Sequence, residues 1–327
     1  MTGKGRVPQI TTALTFADRL GAWKARWGIG RMRYMVPPGL YAIGIPTPDD
    51  PVLVTANYKM SYDLVRNALA GRHVWLLVLE TYGINVWCAA GKGTFGTEEL
   101  VRRIGMSGLA QVVKHRRLIL PILGAPGVAA HDVAKLTNFN VQYAAIKSSS
   151  LPAYLDNGLV TTPAMREMTF TLRERLVLIP VELASALIPT AIVAAALFMI
   201  SALLYGPAWA LTAVAAYLGA VVTGIALVPA LLPCLPGRSF AGKGIVAGLT
   251  WTAVFYLAEG GRGWGLSATF AAFLALPAVS AFYALNFTGC TNFTSRSGVK
   301  KEMRIALPAM ACALLISIIV ILTGRFL

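Results

Sequence analysis

Residues 85–100, NVWCAAGKGTFGTEEL, gather the side chains best suited to chemistry: a cysteine, a preceding Asn and Trp, and a lysine among glycines. Cys88 is the first of four cysteines, at 88, 234, 290 and 312. A thiolate is a strong nucleophile and a soft metal ligand. No two of these cysteines form a C-x-x-C pair, and zinc or iron–sulfur sites need several clustered ligands, so the chain holds no such cluster by itself. A nucleotide P-loop requires G-x-x-x-x-G-K-[ST]. Gly91-Lys92 is followed by Gly93, and Gly83 lies too far upstream. A nucleophilic cysteine needs a base, for which His73, His115 and His131 are the three histidines on offer. The D-x-H-x-x-G run of histidine-ligated cobalamin proteins is absent. Two readings remain: an inert core thiol, or a single axial thiolate beneath a metal whose other ligands come from a macrocycle. Metal binding would hold Cys88 deprotonated.

The elements that must position this stretch are legible in the hydrophobic pattern. PVLVTANY (51–58), HVWLLVLE (73–80), RLILPIL (117–123) and NVQYAAI (140–146) read as buried strands. MSYDLVRNALA (60–70) has helical spacing, with Leu64, Val65 and Leu69 on one side. TEELVRRI (97–104) reads as a helix with Thr97 as N-cap and Glu98 and Glu99 in the first turn. Strands alternating with helices predict a parallel, Rossmann-like α/β sheet. Ligands in such sheets bind beyond the carboxyl ends of the strands. That edge receives the Cys88 loop, Thr55 to Lys59, and Gly124 to Ala130.

The chain has 327 residues, 56% of them hydrophobic, and a net charge of +15. Most of the 29 Lys+Arg and 14 Asp+Glu precede residue 176. A polar domain (1–175) is therefore expected before an apolar one (176–327), an all-α membrane domain of five transmembrane helices. The apolar runs lie at about 183–205, 207–233, 242–258, 265–286 and 305–323, each near the length a bilayer requires. Loop charges (Arg238 and Lys243; Arg296, Lys300, Lys301 and Arg304) put the N-terminal domain in the cytoplasm and the C-terminus outside a cytoplasmic, multi-pass membrane protein. No export segment precedes the first domain, so Cys88 is expected in a reducing compartment. The basic balance suits anionic lipid heads or an acidic partner, or is simply the positive-inside bias; no nucleic-acid partner is expected. Glu182, near the start of the first run, is either interfacial or paired with a base such as Arg175.

NVWCAAGK resembles the motif of the membrane-bound mercury-methylating corrinoid proteins, the HgcA family. VPPGLYAIGIPTPDDPVLVTANYKMSYDLVR, GTFGTEELVRRI, LGAPGVAAHDVAKLTNF and NFTGCTNFTSRSGVKKEMR are similar to the same family. The likeness covers most of residues 34 to 304. The soluble part is also similar to corrinoid subunits of the acetyl-CoA pathway, which lack the Trp-Cys pair. The resemblance implies a base-off corrinoid (a cobalamin-type cofactor) with Cys88 as lower axial cobalt ligand and catalytic centre. The corrinoid contacts it implies are Thr55, Asn57, Ser61, Asn85, Val86, Trp87, Ala89, Ala90, Gly91, Lys92, Gly124, Ala125 and Gly127. Asn85 is expected to support the loop or the sulfur, and the last three to allow close approach of the cofactor tail. YAAIKS replaces the expected Tyr-Gly-Pro-Val-Arg after the fourth strand, and Lys147 keeps a positive charge there. The implied activity is methyl transfer from cobalt to Hg(II), delivered as a thiolate complex, to form methylmercury. The alternative is a membrane-anchored methyl carrier for another one-carbon acceptor. Implied partners are a ferredoxin-like protein with two [4Fe–4S] clusters, a methyl-donor protein or methyl-folate, and the lipid bilayer. Cys290 is a candidate relay for Hg(II); Cys234 and Cys312 read as small apolar residues.

Overall fold

The computed structural model describes residues 6–290 and 296–324; the side chain of Cys290 lies outside the described part. Two compact units divide the chain, Met1–Thr169 and Phe170–Leu327.

The first unit is built on six strands: β1 (Gln9–Ile10), β2 (Gly39–Ile43), β3 (Val52–Ala56), β4 (Val74–Leu79), β5 (Arg117–Leu120) and β6 (Asn140–Tyr143). Their order is β1-β2-β4-β3-β5-β6. β4, β3, β5 and β6 run parallel, whereas β2 is antiparallel to β4 and carries β1 on its outer edge. The parallel strands follow from sequence. β3 and β4 are apolar and buried along their whole length, as strands covered on both faces must be. Pro121 supplies no ladder donor and stops β5.

Alternation sends successive strand residues to opposite faces. Val52, Val54, Trp75, Leu77, Leu118 and Leu120 pack under α3 (Val86–Lys92), α4 (Thr97–Ser107), α5 (Leu109–Val112) and α6 (Ala130–Thr137). Leu53, Leu76, Val78 and Ile119 pack under α2 (Lys59–Ala68) and α7 (Leu151–Asp156). The expected α/β sandwich is therefore present, with a mixed rather than wholly parallel sheet. Of the expected face of α2, Leu69 is buried in the core and Val65 packs against it, but Leu64 does not join them. Leu64 is 53% exposed, while Tyr62, Asp63 and Arg66 are buried. The reason is α1 (Phe16–Arg26), whose Asp18 bonds Lys59 and Arg66 of α2. A charge cluster lies beside the apolar contact that Tyr62, Val65 and Leu69 make.

α8 (Pro163–Arg166) is the last helix of the first unit; in the second, α9 (Leu172–Leu176) leads into α10 (Ile179–Tyr205). Next come α11 (Pro207–Val222), a π-helical turn (Thr223–Leu227), α12 (Val228–Ala230), α13 (Phe240–Ala258), α14 (Leu266–Asn286) and α15 (Arg296–Thr323). Among the described residues, five helical stretches are long and apolar enough to cross a membrane: Leu172–Tyr205, Pro207–Ala230, Phe240–Ala258, Leu266–Asn286 and Ser297–Thr323. Small residues bring them together. A Cβ on Gly244 or Gly248 of α13 would strike the α14 backbone at Ala281 (2.5 Å) or Pro277 (2.6 Å).

Candidate functional site

The parallel strands define a switch point. From β3 the chain moves first to β4 on one side, then to β5 on the other. A crevice at the carboxyl end of β3 is where this architecture binds ligands. Here that crevice is roofed. α3, which follows β4, packs on Ile122–Gly127, the 3-10 segment that follows β5. Cβ atoms added at Gly127 would lie 2.2 Å from the Phe95 carbonyl oxygen and 3.0 Å from Ala90 Cα; one at Gly124 would lie 2.5 Å from the Phe95 ring. These glycines approach protein, not open space. Their lack of a side chain is what lets this segment pack on Phe95 and Ala90; Ala125 is half-buried in the same segment.

Cys88 lies on a helix rather than in a loop. Asn85 caps α3: its Oδ1 accepts from Cys88 N at 2.9 Å. Gly93, at φ 84°, ends the helix. Val86, Ala89 and Ala90 turn inward and are buried, so they anchor the helix. Trp87, Cys88, Gly91 and Lys92 share the outer face and are all exposed. Exposure removes the inert core-thiol reading of Cys88. No atom lies within 4 Å of a Cβ built on Gly91, one turn beyond Cys88, so a flat surface flanks the sulfur. A side chain there would stand in the way of a planar ligand.

The turn that delivers α3 is held by Asn57, which is 1% exposed. Asn57 Oδ1 accepts from Thr81 N (3.0 Å), Thr81 Oγ1 (2.9 Å) and Gly83 N (3.3 Å). Its Nδ2 donates to Glu80 Oε1 at 2.6 Å. Glu99 Oε1 accepts from Glu80 N at 2.8 Å and pairs with Arg103. Asn57 is thus occupied by protein on every polar atom and positions the turn. Thr55 is buried in β3, and Ser61 is half-buried in the first turn of α2. Neither reaches the outer face of α3 by exposure. Thr97 is not the cap of α4: Gly96 is, and the Thr97 hydroxyl instead accepts from Ala129 N at 2.8 Å. A tertiary bond has claimed the group that the local pattern assigned to the helix.

Sequence reasoning missed Glu80, Thr81 and Tyr82. Tyr82 takes φ 55°, unusual for a residue with a side chain, and is 65% exposed. Gly83 follows at φ 71°, with room for a Cβ denied by the Met32 carbonyl at 2.9 Å. Met32, Tyr82 and Trp87 leave large apolar side chains in solvent along this turn and helix. The Tyr-Gly pair was a turn signal that the sequence did carry.

The histidines do not serve Cys88 as a group. His73 and His115 sit before β4 and β5, at the opposite, amino edge of the sheet, where His73 Nδ1 accepts from Ile45 N and His115 Nε2 bonds the Asp50 carbonyl. His131 opens α6 and is exposed beside Asp132. Among the described residues no group of three His, Cys, Asp or Glu side chains could hold a metal ion.

The geometry defines a class: a doubly wound α/β domain presenting one open thiol at its carboxyl edge. Comparison with known proteins narrows it. Residues 30–155 match the family described as CO dehydrogenase/acetyl-CoA synthase delta subunit. The chain is also similar to the acetyl-CoA decarbonylase/synthase complex subunit gamma of Methanopyrus kandleri, 35% identical over 123 residues, which are 37% of this chain and 26% of that protein. The subunit gamma of Archaeoglobus fulgidus is 37% identical over 97 residues, 29% of this chain and 21% of the relative. That of Methanocaldococcus jannaschii is 32% identical over 125 residues, 38% and 25% respectively. The chain thus spans about a quarter of the length of these curated relatives.

Proposed function

We propose that this protein is a membrane-anchored, corrinoid-dependent methyltransferase in which the Cys88 thiolate is the lower axial ligand of cobalt and Hg(II) is the methyl acceptor. The observation that carries this reading is the exposed Cys88 thiol on a helix face left open by Gly91. Similarity to the delta and gamma subunits of acetyl-CoA-forming complexes supports the corrinoid and the methyl transfer. The NVWCAAGK motif supports the thiolate and the mercury.

When bound, a corrinoid supplies a cobalt that carries a methyl group and yields it to an acceptor. The chain does the rest. Cys88 would hold the cobalt, and a metal-bound thiolate would donate more charge to it than a neutral imidazole, the electronic balance suited to giving up a methyl group to an electrophile. Hg(II) is an electrophile and needs that polarity. Asn85 fixes the turn beneath the sulfur, as groups behind a metal ligand do. Val86, Ala89 and Ala90 clamp the helix to the domain, so the ligand does not drift. Trp87 and Lys92 place an apolar ring and a cation on the same face. Reduction of the metal calls for a ferredoxin-like partner with two [4Fe–4S] clusters, and the methyl group for a methyl-donor protein or methyl-folate. Cys290 remains the proposed relay for Hg(II). The N-terminal unit is placed on the cytoplasmic side of the membrane.

The relatives themselves favour a second reading, a methyl carrier serving another one-carbon acceptor. One experiment separates the two. Purified protein with bound corrinoid, a reduced ferredoxin partner and Hg(II) is assayed for methylmercury, beside Cys88→Ala. The proposal expects methylmercury, a thiolate-shifted corrinoid spectrum, and loss of both in the variant, with activity down by at least about 100-fold. An unchanged spectrum in Cys88→Ala overturns the ligand assignment. Bound corrinoid and a Cys88-dependent spectrum without methylmercury leave the carrier reading standing.

A further inference from the structure

Arg175 lies in α9, only 6% exposed, and its Nε and Nη1 have no hydrogen-bond partner among the described residues. A buried guanidinium without an acceptor is among the least favourable arrangements in a protein. Lys243, the other buried cation of this unit, shows the usual solution: its Nζ donates to the carbonyls of Leu232 (2.7 Å) and Leu235. Arg175 has no such relief. Glu182, a candidate partner from sequence, does not supply it.

The helix around Arg175 is turned inside out. Leu172 and Leu176, one turn apart, are 50% and 45% exposed, while the cation between them faces inward. That pattern suits a helix bathed in lipid and holding an anion within. α9 packs on α12, and its neighbours Phe170 and Leu178 join an apolar cluster with Val228, Leu232, Phe240 and Phe287. The surroundings would take acyl chains. The helical stretch Leu172–Tyr205 has 34 residues, about 51 Å at the rise of an α-helix, against about 30 Å of hydrocarbon. Its apolar run at 183–205 fills that core and leaves Arg175 in the headgroup layer. This end of the helices is also the basic one. Glu302 of α15 bonds Ser239 and Ala241 at the start of α13, which brings Lys300, Lys301 and Arg304 to the end that holds Lys243.

We infer that Arg175 binds the phosphate of an anionic membrane lipid, seated between α9 and α12 with its acyl chains along the apolar cluster. Arg suits the role because its planar fork takes two phosphate oxygens at once.

The test uses the full-length protein in lipid nanodiscs of phosphatidylcholine, with and without phosphatidylglycerol. Phosphatidylglycerol should raise the melting midpoint of the wild type by about 2–4 °C. In Arg175→Met, which fills the volume without the charge, the two midpoints should coincide. Arg238→Gln, in the exposed loop before α13, should keep the difference. Native mass spectrometry of wild type released from mixed nanodiscs should retain phosphatidylglycerol over phosphatidylcholine, a readout that needs no variant. Equal wild-type midpoints, no retained phosphatidylglycerol, a difference that survives Arg175→Met, or one abolished by Arg238→Gln each overturn the site. If inorganic phosphate added to phosphatidylcholine nanodiscs gives the same rise, the lipid assignment is overturned and the ligand is a soluble phosphate.

Discussion

Cys88 and Asn57 do opposite jobs with similar prominence in the sequence. Cys88 has its backbone N–H capped and its sulfur free in solvent; Asn57 has its whole amide consumed by Glu80, Thr81 and Gly83. The side chain open to a ligand can change with little cost to the fold. The one that is spent on the fold cannot. Asn57→Ala strands the Thr81 and Gly83 donors and frees Glu80, and should cost about 2–4 kcal/mol, read as a lowered thermal midpoint of the soluble unit's transition. Cys88→Ala should leave that midpoint within about 0.5 kcal/mol of wild type. An Asn57→Ala protein as stable as wild type would remove the account of the β4–α3 turn given above. Type and neighbourhood marked Cys88 in the sequence. Nothing in the spacing of Asn57, Glu80 and Glu99 announced that they meet, because hydrogen bonds across 19 to 24 residues leave no local pattern.

At the scale of elements, α1 is fastened to α2 by charge. Asp18 pairs with Lys59 and Arg66, and Asp63 with the same two cations. Burial raises the Asp18 carboxyl, but hydrogen bonds from Lys59, Thr15 and Arg66 outweigh it and hold the group far below the usual carboxylate range. A depressed folded value means the unfolded chain binds the proton first. The stability Asp18 contributes is therefore complete above about pH 4 and drains away as pH falls below it. Asp18→Asn should cost about 2–3 kcal/mol at pH 7 and flatten the acid limb of the stability curve. An identical acid limb in wild type and variant would show that the cluster does not couple the helices. The same cluster explains why α2 buries Asp63 and Arg66 as well as Leu69, and why Leu64 of the expected face is exposed. A helix whose partner brings two salt-bridging contacts buries polar residues, and helical spacing alone cannot distinguish the two cases.

At the scale of the whole molecule, the charge asymmetry along the chain predicts a topology. The proposed orientation, drawn from the loop cations, has the first unit on the cytoplasmic side. With Cys234, Cys290 and Cys312 changed to Ser, a membrane-impermeant maleimide should therefore label Cys88 in inverted vesicles and not in intact cells, with the vesicle signal lost on adding Cys88→Ala. Labelling of Cys88 from outside intact cells would reverse the orientation. The spans themselves were legible to within a few residues at most ends, since hydrocarbon thickness dictates the length of an apolar run. Their first and last members begin earlier than the apolar run alone indicated, at Leu172 and Ser297. Both helices continue beyond the apolar run through residues that carry charge, such as Arg173 and Lys300.

Hydrophobic period, strand–helix alternation and the lone cysteine in NVWCAAGK were enough to set the α/β unit, the five apolar helices and the residue on which the chemistry is proposed to turn. Those signals are local, and short-range sterics and solvation write them directly into the chain. The tertiary structure decided that Cys88 stands exposed on a short helix, that Gly124 and Gly127 serve the packing of Phe95 and Ala90, and that Arg175 is buried with its Nε and Nη1 unpartnered among the described residues. Each depends on which distant segments meet, and that is settled by how the packed faces fit together in three dimensions.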